Sequence, residues 1–210
     1  MRENVQKAAA ALDLDLVEKV IIAVMFLFFA VRMSGAYLDT GNVLTLVMLF
    51  NEAILIVFVL ARRRTQAISR KASDWFLGFA GTTLPLLLLP PSGDPLLPLA
   101  ACGVLMLIGT AIQLSAKLTL RRSFGVVAAN RGVKASGLYA VVRHPMYAGY
   151  MLVQAGLLLS GPNLVNTLIL AGAWSLQIGR ILAEERILGE DPQYRELVRR
   201  TPYRLFPGVF

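Results

Sequence analysis

Long apolar stretches alternate with short basic clusters along the chain. No charged side chain falls between Asp74 and Asp94, between Asp94 and Lys117, or between His144 and Arg180. A helix needs about 20 mostly apolar residues to cross a bilayer. The pattern predicts six spans, near residues 19–37, 42–61, 75–91, 96–116, 146–160 and 163–183. Pro85 and Pro90 should distort the end of the third, because proline removes a backbone donor. Residues 1–18 read as a surface helix at the cytoplasmic face. Residues 117–144 are basic, contain glycine and are polar enough to face water. The linker SGPN (160–163) permits only a tight helical hairpin, and an amphipathic piece at 191–200 suits a membrane interface. The expected architecture is an all-α integral membrane protein. Residues 1–116 form four N-terminal membrane helices, and residues 117–210 form a C-terminal helical hairpin with a cytoplasmic tail.

Composition agrees with this reading. Of 210 residues, 56% are hydrophobic and only 16% charged, and the mean hydropathy is +0.62. The basic residues set the orientation. Arg62, Arg63, Arg64, Arg70 and Lys71 lie between spans two and three, and a second basic group lies between spans four and five. A third follows span six, whereas 90–95 and 160–163 carry no Lys or Arg. Both termini are therefore expected in the cytoplasm. The net charge of +8 belongs to these flanks and suits anionic lipid headgroups, not nucleic acid. The single cysteine, Cys102, excludes an internal disulfide and a multi-cysteine metal site. Glycines two residues apart are absent, so neither dinucleotide nor P-loop glycine motifs exist. Arg32 and Glu52 lie inside spans, where ionisable groups are costly. They read either as a structural pair or as an intramembrane site.

The chemistry gathers around Gly137–Gly149, which holds the only histidine, His144, between Arg143 and Pro145. Pro145 should open a helix, whose N-terminus offers a site for an anion. Counting back from the hairpin turn at 1.5 Å per residue, His144 and Glu184 reach the same surface within about 7 Å in height. Arg143 and His144 can thus face Glu184 and Glu185 across a cleft. Glu184 has Arg180 four residues earlier. Glu185 has no partner on its own helix, so it is expected to be the freer acid. Both glutamates could instead pair with nearby arginines. A ligand with a carboxylate near an ammonium would satisfy both halves, and the methionine part of S-adenosylmethionine has that pattern. His144 reads as a capping or anion-binding residue, or as a base. Tyr139 and Tyr147 could simply be interfacial aromatics.

The segment GLYAVVRHPMYAGY (137–150), followed by AEER (183–186), Tyr194 and RTPYRLFPG (200–208), resembles the isoprenylcysteine carboxyl methyltransferase family of integral-membrane methyltransferases. This wider group also includes phospholipid methyltransferases. The resemblance covers roughly residues 117–210 and implies S-adenosylmethionine as cofactor at the cytoplasmic end of the last hairpin. By motif, Gly137, Leu138, Tyr139, His144, Pro145, Tyr147 and Gly149 would bind the cofactor. Glu184 and Glu185 would meet its polar end, and Tyr203 and Arg204 would lie in a tail closing over it. Arg143 and His144 are the candidate catalytic residues. The implied partner is a lipophilic acceptor from the bilayer: an isoprenylcysteine-like carboxylate, a phospholipid amine or another small nucleophile. Two alternatives remain at this stage. One is a nicotinamide-dependent membrane reductase, since sterol reductases resemble this fold in their C-terminal region. The other is a transporter or scaffold using Arg32 and Glu52.

Overall fold

A computed structural model describes residues 2–61, 68–123 and 125–210, excepting the side chains of 2–15 and 122. Arg62, Arg63 and Arg64 of the first basic cluster lie outside the described residues. The described chain is helical, with one isolated antiparallel bridge between Ile68 and Ala129. Its helices are α1 (Arg2–Thr40), α2 (Val43–Ala61), α3 (Ala72–Thr83), α4 (Leu99–Leu120), α5 (Pro145–Leu159), α6 (Leu164–Leu188) and α7 (Pro192–Arg200). Among the described residues, α2, α4 and α6 are long and apolar enough to cross a membrane, and α5 is a shorter apolar helix. Large apolar side chains such as Phe28, Val31, Phe50, Val57, Leu107 and Leu168 are exposed on the helix exteriors, as lipid contact requires.

The expected separate helix at 1–18 is instead the first part of α1, which runs unbroken into the apolar stretch. The expected third span is also shorter than 75–91. Its α-helical part ends at Thr83, and Leu84–Leu87 tightens into a 3₁₀ turn around Pro85. Together these make about 26 Å of helix, slightly less than a ~30 Å hydrocarbon core. An extended segment follows, pinned to α6 by Asn166. Its Nδ2 donates to the Leu89 carbonyl at 3.0 Å, and its Oδ1 accepts from the Leu89 N–H at 2.9 Å.

Helix boundaries follow local chemistry. Gly41, at φ +67°, makes the turn between α1 and α2. Asn42 then accepts from the Leu44 N–H at 3.0 Å. Asn163 caps α6 by accepting from the Asn166 N–H at 2.8 Å, and Asp191 caps α7 by accepting from the Gln193 N–H at 2.9 Å. Asn51 on α2 donates across the bundle to Thr110 on α4 at 2.9 Å, a polar tie of the kind that joins membrane helices. Near the water-facing end, Asp74 on α3 accepts from Ser69 and Arg186, each at 2.5 Å. Burial works against its charge, but the Ser69 and Arg186 hydrogen bonds hold its carboxyl below the usual range.

Helices α4 and α5 cross with their backbones in close approach. A Cβ placed on Gly149 would lie 2.7 Å from the Gly109 carbonyl oxygen, and one on Gly156 would lie 2.9 Å from that of Cys102. Backbone cannot yield as a side chain end can. Gly149→Ala is expected to lower stability by about 1–3 kcal/mol, read as a fall in thermal midpoint in detergent. Gly103→Ala, whose added carbon would meet nothing nearer than 3.9 Å, should leave the midpoint unchanged and serves as the control.

Candidate functional site

Pro145 is the first residue of α5, as the sequence implied, and His144 stands before it in a non-helical conformation. The hairpin of α5 and α6 brings the lone histidine against both glutamates. His144 Nε2 lies 3.2 Å from Glu185 Oε1, and Nδ1 lies 3.8 Å from Glu184 Oε2.

The two glutamates differ in their surroundings. Glu185, expected to have no partner on its own helix, is surrounded by donors from three other segments. Arg143 Nε donates to it at 2.8 Å, Arg204 Nε at 2.9 Å and the Tyr194 hydroxyl at 3.1 Å. Glu184 receives the Tyr147 hydroxyl. Arg180 makes no ion pair with Glu184 within 4.0 Å. Its Nη2 donates instead to the Val126 carbonyl at 2.9 Å, with its guanidinium carbon 5.2 Å from the centre of the Tyr147 ring. The reason is tertiary: the 125–129 segment lies over α6 and offers a carbonyl where a helix face alone offers only Glu184.

The two backbone N–H groups just before the expected anion-binding mouth of α5 are taken by the C-terminal tail. The Arg143 N–H donates to the Tyr203 carbonyl at 3.0 Å, and the His144 N–H donates to that of Arg204 at 2.8 Å. Arg143 Nη1 donates to the Thr201 and Pro202 carbonyls at 2.8 and 2.6 Å. Arg143 thus spends Nε and Nη1 on Glu185 and the C-terminal tail and clasps the tail to the hairpin, while its Nη2 makes no hydrogen bond among the described residues and Arg143 also lines the adjoining cavity.

Beside this clasp opens a cavity of about 740 Å³, counting the open space at its mouth. Tyr139, Arg143, His144, Tyr147 and Glu184 form part of its wall. Glu185 does not, nor do Gly137, Leu138, Pro145, Tyr203 and Arg204. Gly149 faces α4 at the crossing already described. Gly137, at φ +60°, shapes the turn that delivers Tyr139. The rest of the wall was not identified from the sequence: the 123–134 loop with Gly125, Val127, Arg131 and Lys134, then Leu188, Tyr194 and Leu197. The glycines and basic residues of the loop were the only signal it gave, and Tyr194 was visible only as part of the motif.

Several long-range contacts fix that loop. Glu18 of α1, fully buried, accepts from the Val126 and Val127 N–H groups at 3.1 and 3.2 Å. The Ser69 N–H donates to the Ala128 carbonyl at 2.9 Å. Asn130 donates to Asp191 at 3.1 Å, tying the loop to the start of α7. Electrostatically the wall carries Glu184 with Arg131, Lys134 and Arg143. Burial, and then the charge of Glu184, raise the Tyr139 phenol above its ordinary range. Burial, and then Glu185, do the same to Tyr194. Both phenols thus remain protonated donors at neutral pH.

The alternative anchor in the membrane is not formed as expected. Arg32 does not pair with Glu52; its guanidinium donates to the Leu88 carbonyl, toward the other end of the bundle. Glu52 faces an interior cavity with Arg180 and Gln177.

No curated protein matches the chain. Residues 101–190 match the family model described as the isoprenylcysteine carboxyl methyltransferase (ICMT) family. These residues contain α4, the cavity-lining loop, the Arg143–His144 turn and the α5–α6 hairpin with both glutamates. The part of the chain that builds most of this cavity is therefore similar to the isoprenylcysteine carboxyl methyltransferase family, a family of membrane methyltransferases.

Proposed function

We propose that this protein transfers a methyl group from S-adenosylmethionine to a lipophilic acceptor drawn from the bilayer. The observation that carries the reading is the Glu184 carboxylate on the wall of a cavity that also presents Lys134, Tyr139 and an apolar lining. The residues fit the donor. Glu184 would receive its ammonium, and Lys134 with Arg131 would receive its carboxylate. Leu120, Val127, Val133 and Leu197 supply apolar surface for a base or sugar. When bound, S-adenosylmethionine supplies an electrophilic methyl on a sulfonium.

The protein's own part in such a reaction is alignment and exclusion of water. Arg143 and Glu185 hold the tail over the hairpin. Tyr147, hydrogen bonded to Glu184, fixes the rotamer of the acid that meets the ligand. His144 sits between the two acids and orients them. The purified protein is expected to bind S-adenosylhomocysteine in the micromolar range or tighter, with an affinity that a chelator leaves unchanged. Calorimetry that finds no binding at millimolar ligand would overturn the assignment.

We also read six crossings with both termini in the cytoplasm, on the charge asymmetry of the loops. In a Cys102→Ala background, cysteine at exposed Ser92 should react with an impermeant thiol reagent from outside the cell. Cysteine at exposed Ser136 should not. The reverse labelling pattern contradicts the topology.

A further inference from the structure

A lateral groove lies at the basic end of α4. Its described lining is Leu118, Thr119, Arg121, Lys134 and Ser136, around a space of about 690 Å³ counted with its wide mouth. Arg121 directly follows α4 (Leu99–Leu120), and Lys134 and Ser136 come from the segment that leads into the Gly137 turn. The Arg121 guanidinium and the Lys134 ammonium make no ion pair or side-chain hydrogen bond among the described residues, and the Ser136 hydroxyl is equally unengaged there. Thr119 turns its hydroxyl back to the Ser115 carbonyl at 2.9 Å. No carboxylate belongs to the described lining.

Helix α4 sets the depth of this groove. No charged side chain falls between Asp94 and Lys117. Val104, Leu107, Ala111, Ser115 and Leu118 are exposed, and their spacing of three or four residues puts them on one helix face. The rise from Leu99 to Leu118 is about 29 Å at 1.5 Å per residue, against a hydrocarbon core of ~30 Å. Leu118, 57% exposed, therefore sits at the edge of the apolar layer. Arg121 and Lys134 stand just beyond it, at headgroup level. Arg121 also has φ +51°, a conformation that a residue with a Cβ seldom adopts. Backbone this costly persists only where its surroundings impose it, and it gathers at ligand sites.

We infer that this groove binds one anionic phospholipid, with its acyl chains along the Val104–Leu118 face and its phosphate between Arg121 and Lys134. A guanidinium offers paired N–H groups to phosphate oxygens, and the Ser136 hydroxyl adds a donor. The head must be net negative. A choline or ethanolamine head would set its own ammonium beside two cations, with no carboxylate in the described lining to receive it. Free phosphate would make no use of the apolar face below. Lys134 lines the donor cavity as well. An ammonium has three donors, so it can hold the lipid phosphate on one side and serve that cavity on the other. The lipid site does not depend on the methyl-donor reading.

Native mass spectrometry of the delipidated protein in neutral detergent tests it, with dioleoylphosphatidylglycerol and dioleoylphosphatidylcholine titrated separately. The first phosphatidylglycerol should bind at least tenfold more tightly than phosphatidylcholine. Arg121→Gln should weaken it about fivefold, as expected for one basic residue at an anionic headgroup. Arg121→Gln combined with Lys134→Gln should abolish the preference. Arg195→Gln combined with Arg199→Gln, which removes exposed charge from α7, should leave the affinity within twofold. Arg121→Gly accommodates a positive φ, so it should lose the lipid as Arg121→Gln does while keeping the thermal midpoint at or above the parent's. That variant guards against a folding defect. Millimolar inorganic phosphate should not displace the lipid. Equal affinity for the two lipids, a loss in the α7 variant as large as in the Arg121 variants, or displacement by inorganic phosphate would overturn the inference.

Discussion

Glu185→Gln should lower the thermal midpoint of the purified protein by roughly 6–12 °C. The figure follows from the groups left behind. Arg143 has a side chain only 4% exposed, and its Nε faces Glu185 Oε1 at 2.8 Å. Arg204 Nε and His144 Nε2 converge on the same carboxylate. Glutamine keeps one acceptor oxygen but loses the charge and turns an N–H₂ toward these donors. Breaking a buried ion pair from one side costs about 3–5 kcal/mol, and the partial exposure of Glu185 puts this case near the lower bound. For a chain of this size each kcal/mol moves the midpoint by about 2–4 °C. Scanning fluorimetry in detergent measures it. The tail should loosen with it, so trypsin should cut after Arg199 or Arg200 faster than in the parent. A midpoint within 2 °C of the parent would mean that the clasp of Arg143, Glu185 and the tail contributes little.

Glu184→Gln should do the opposite: little change in stability and a large loss of ligand affinity. Its side chain is 21% exposed, and among the described residues no arginine or lysine lies within 4.0 Å of its carboxylate. Glutamine can still accept from the Tyr147 hydroxyl, so the local packing survives. What disappears is a charge on the cavity wall. A charge-assisted hydrogen bond contributes about 1.5–3 kcal/mol, or roughly a tenfold to hundredfold change in affinity for S-adenosylhomocysteine. Calorimetry on the two variants side by side separates the roles. An unchanged affinity for Glu184→Gln, with affinity lost in Glu185→Gln at an unchanged midpoint, would restore the opposite assignment.

The contrast between these two residues shows what the sequence could and could not say. Proline at 145 and the tight turn at 160–163 were legible because each depends on local backbone chemistry. So was the meeting of His144 with the two acids, because hairpin length alone sets it. Which acid faces the cavity depends on how α6 is rotated about its axis, and neighbouring helical residues differ by about 100°. That rotation is fixed by packing against α3 and α5, which no pattern within α6 records. Arg180 illustrates the same limit. Its spacing pointed to Glu184, but Val126, distant in sequence, took the hydrogen bond. Gly149 was legible as a motif glycine, yet its reason is Gly109 on a different helix. The cavity-forming loop was illegible for a related reason. Its position is imposed from outside by Glu18, Ser69 and Asp191.

The central claim is that the cavity beside the α5–α6 hairpin is the donor site, with Glu184 as the acid that meets the amino group. An experimental structure with S-adenosylhomocysteine bound tests it most directly. The ligand should lie in the cavity lined by Tyr139, Tyr147 and Lys134, with its amino nitrogen within hydrogen-bonding distance of Glu184 and its carboxylate toward Lys134. Density for the ligand in the interior cavity beside Glu52, or against Glu185 with the tail displaced, would contradict the account.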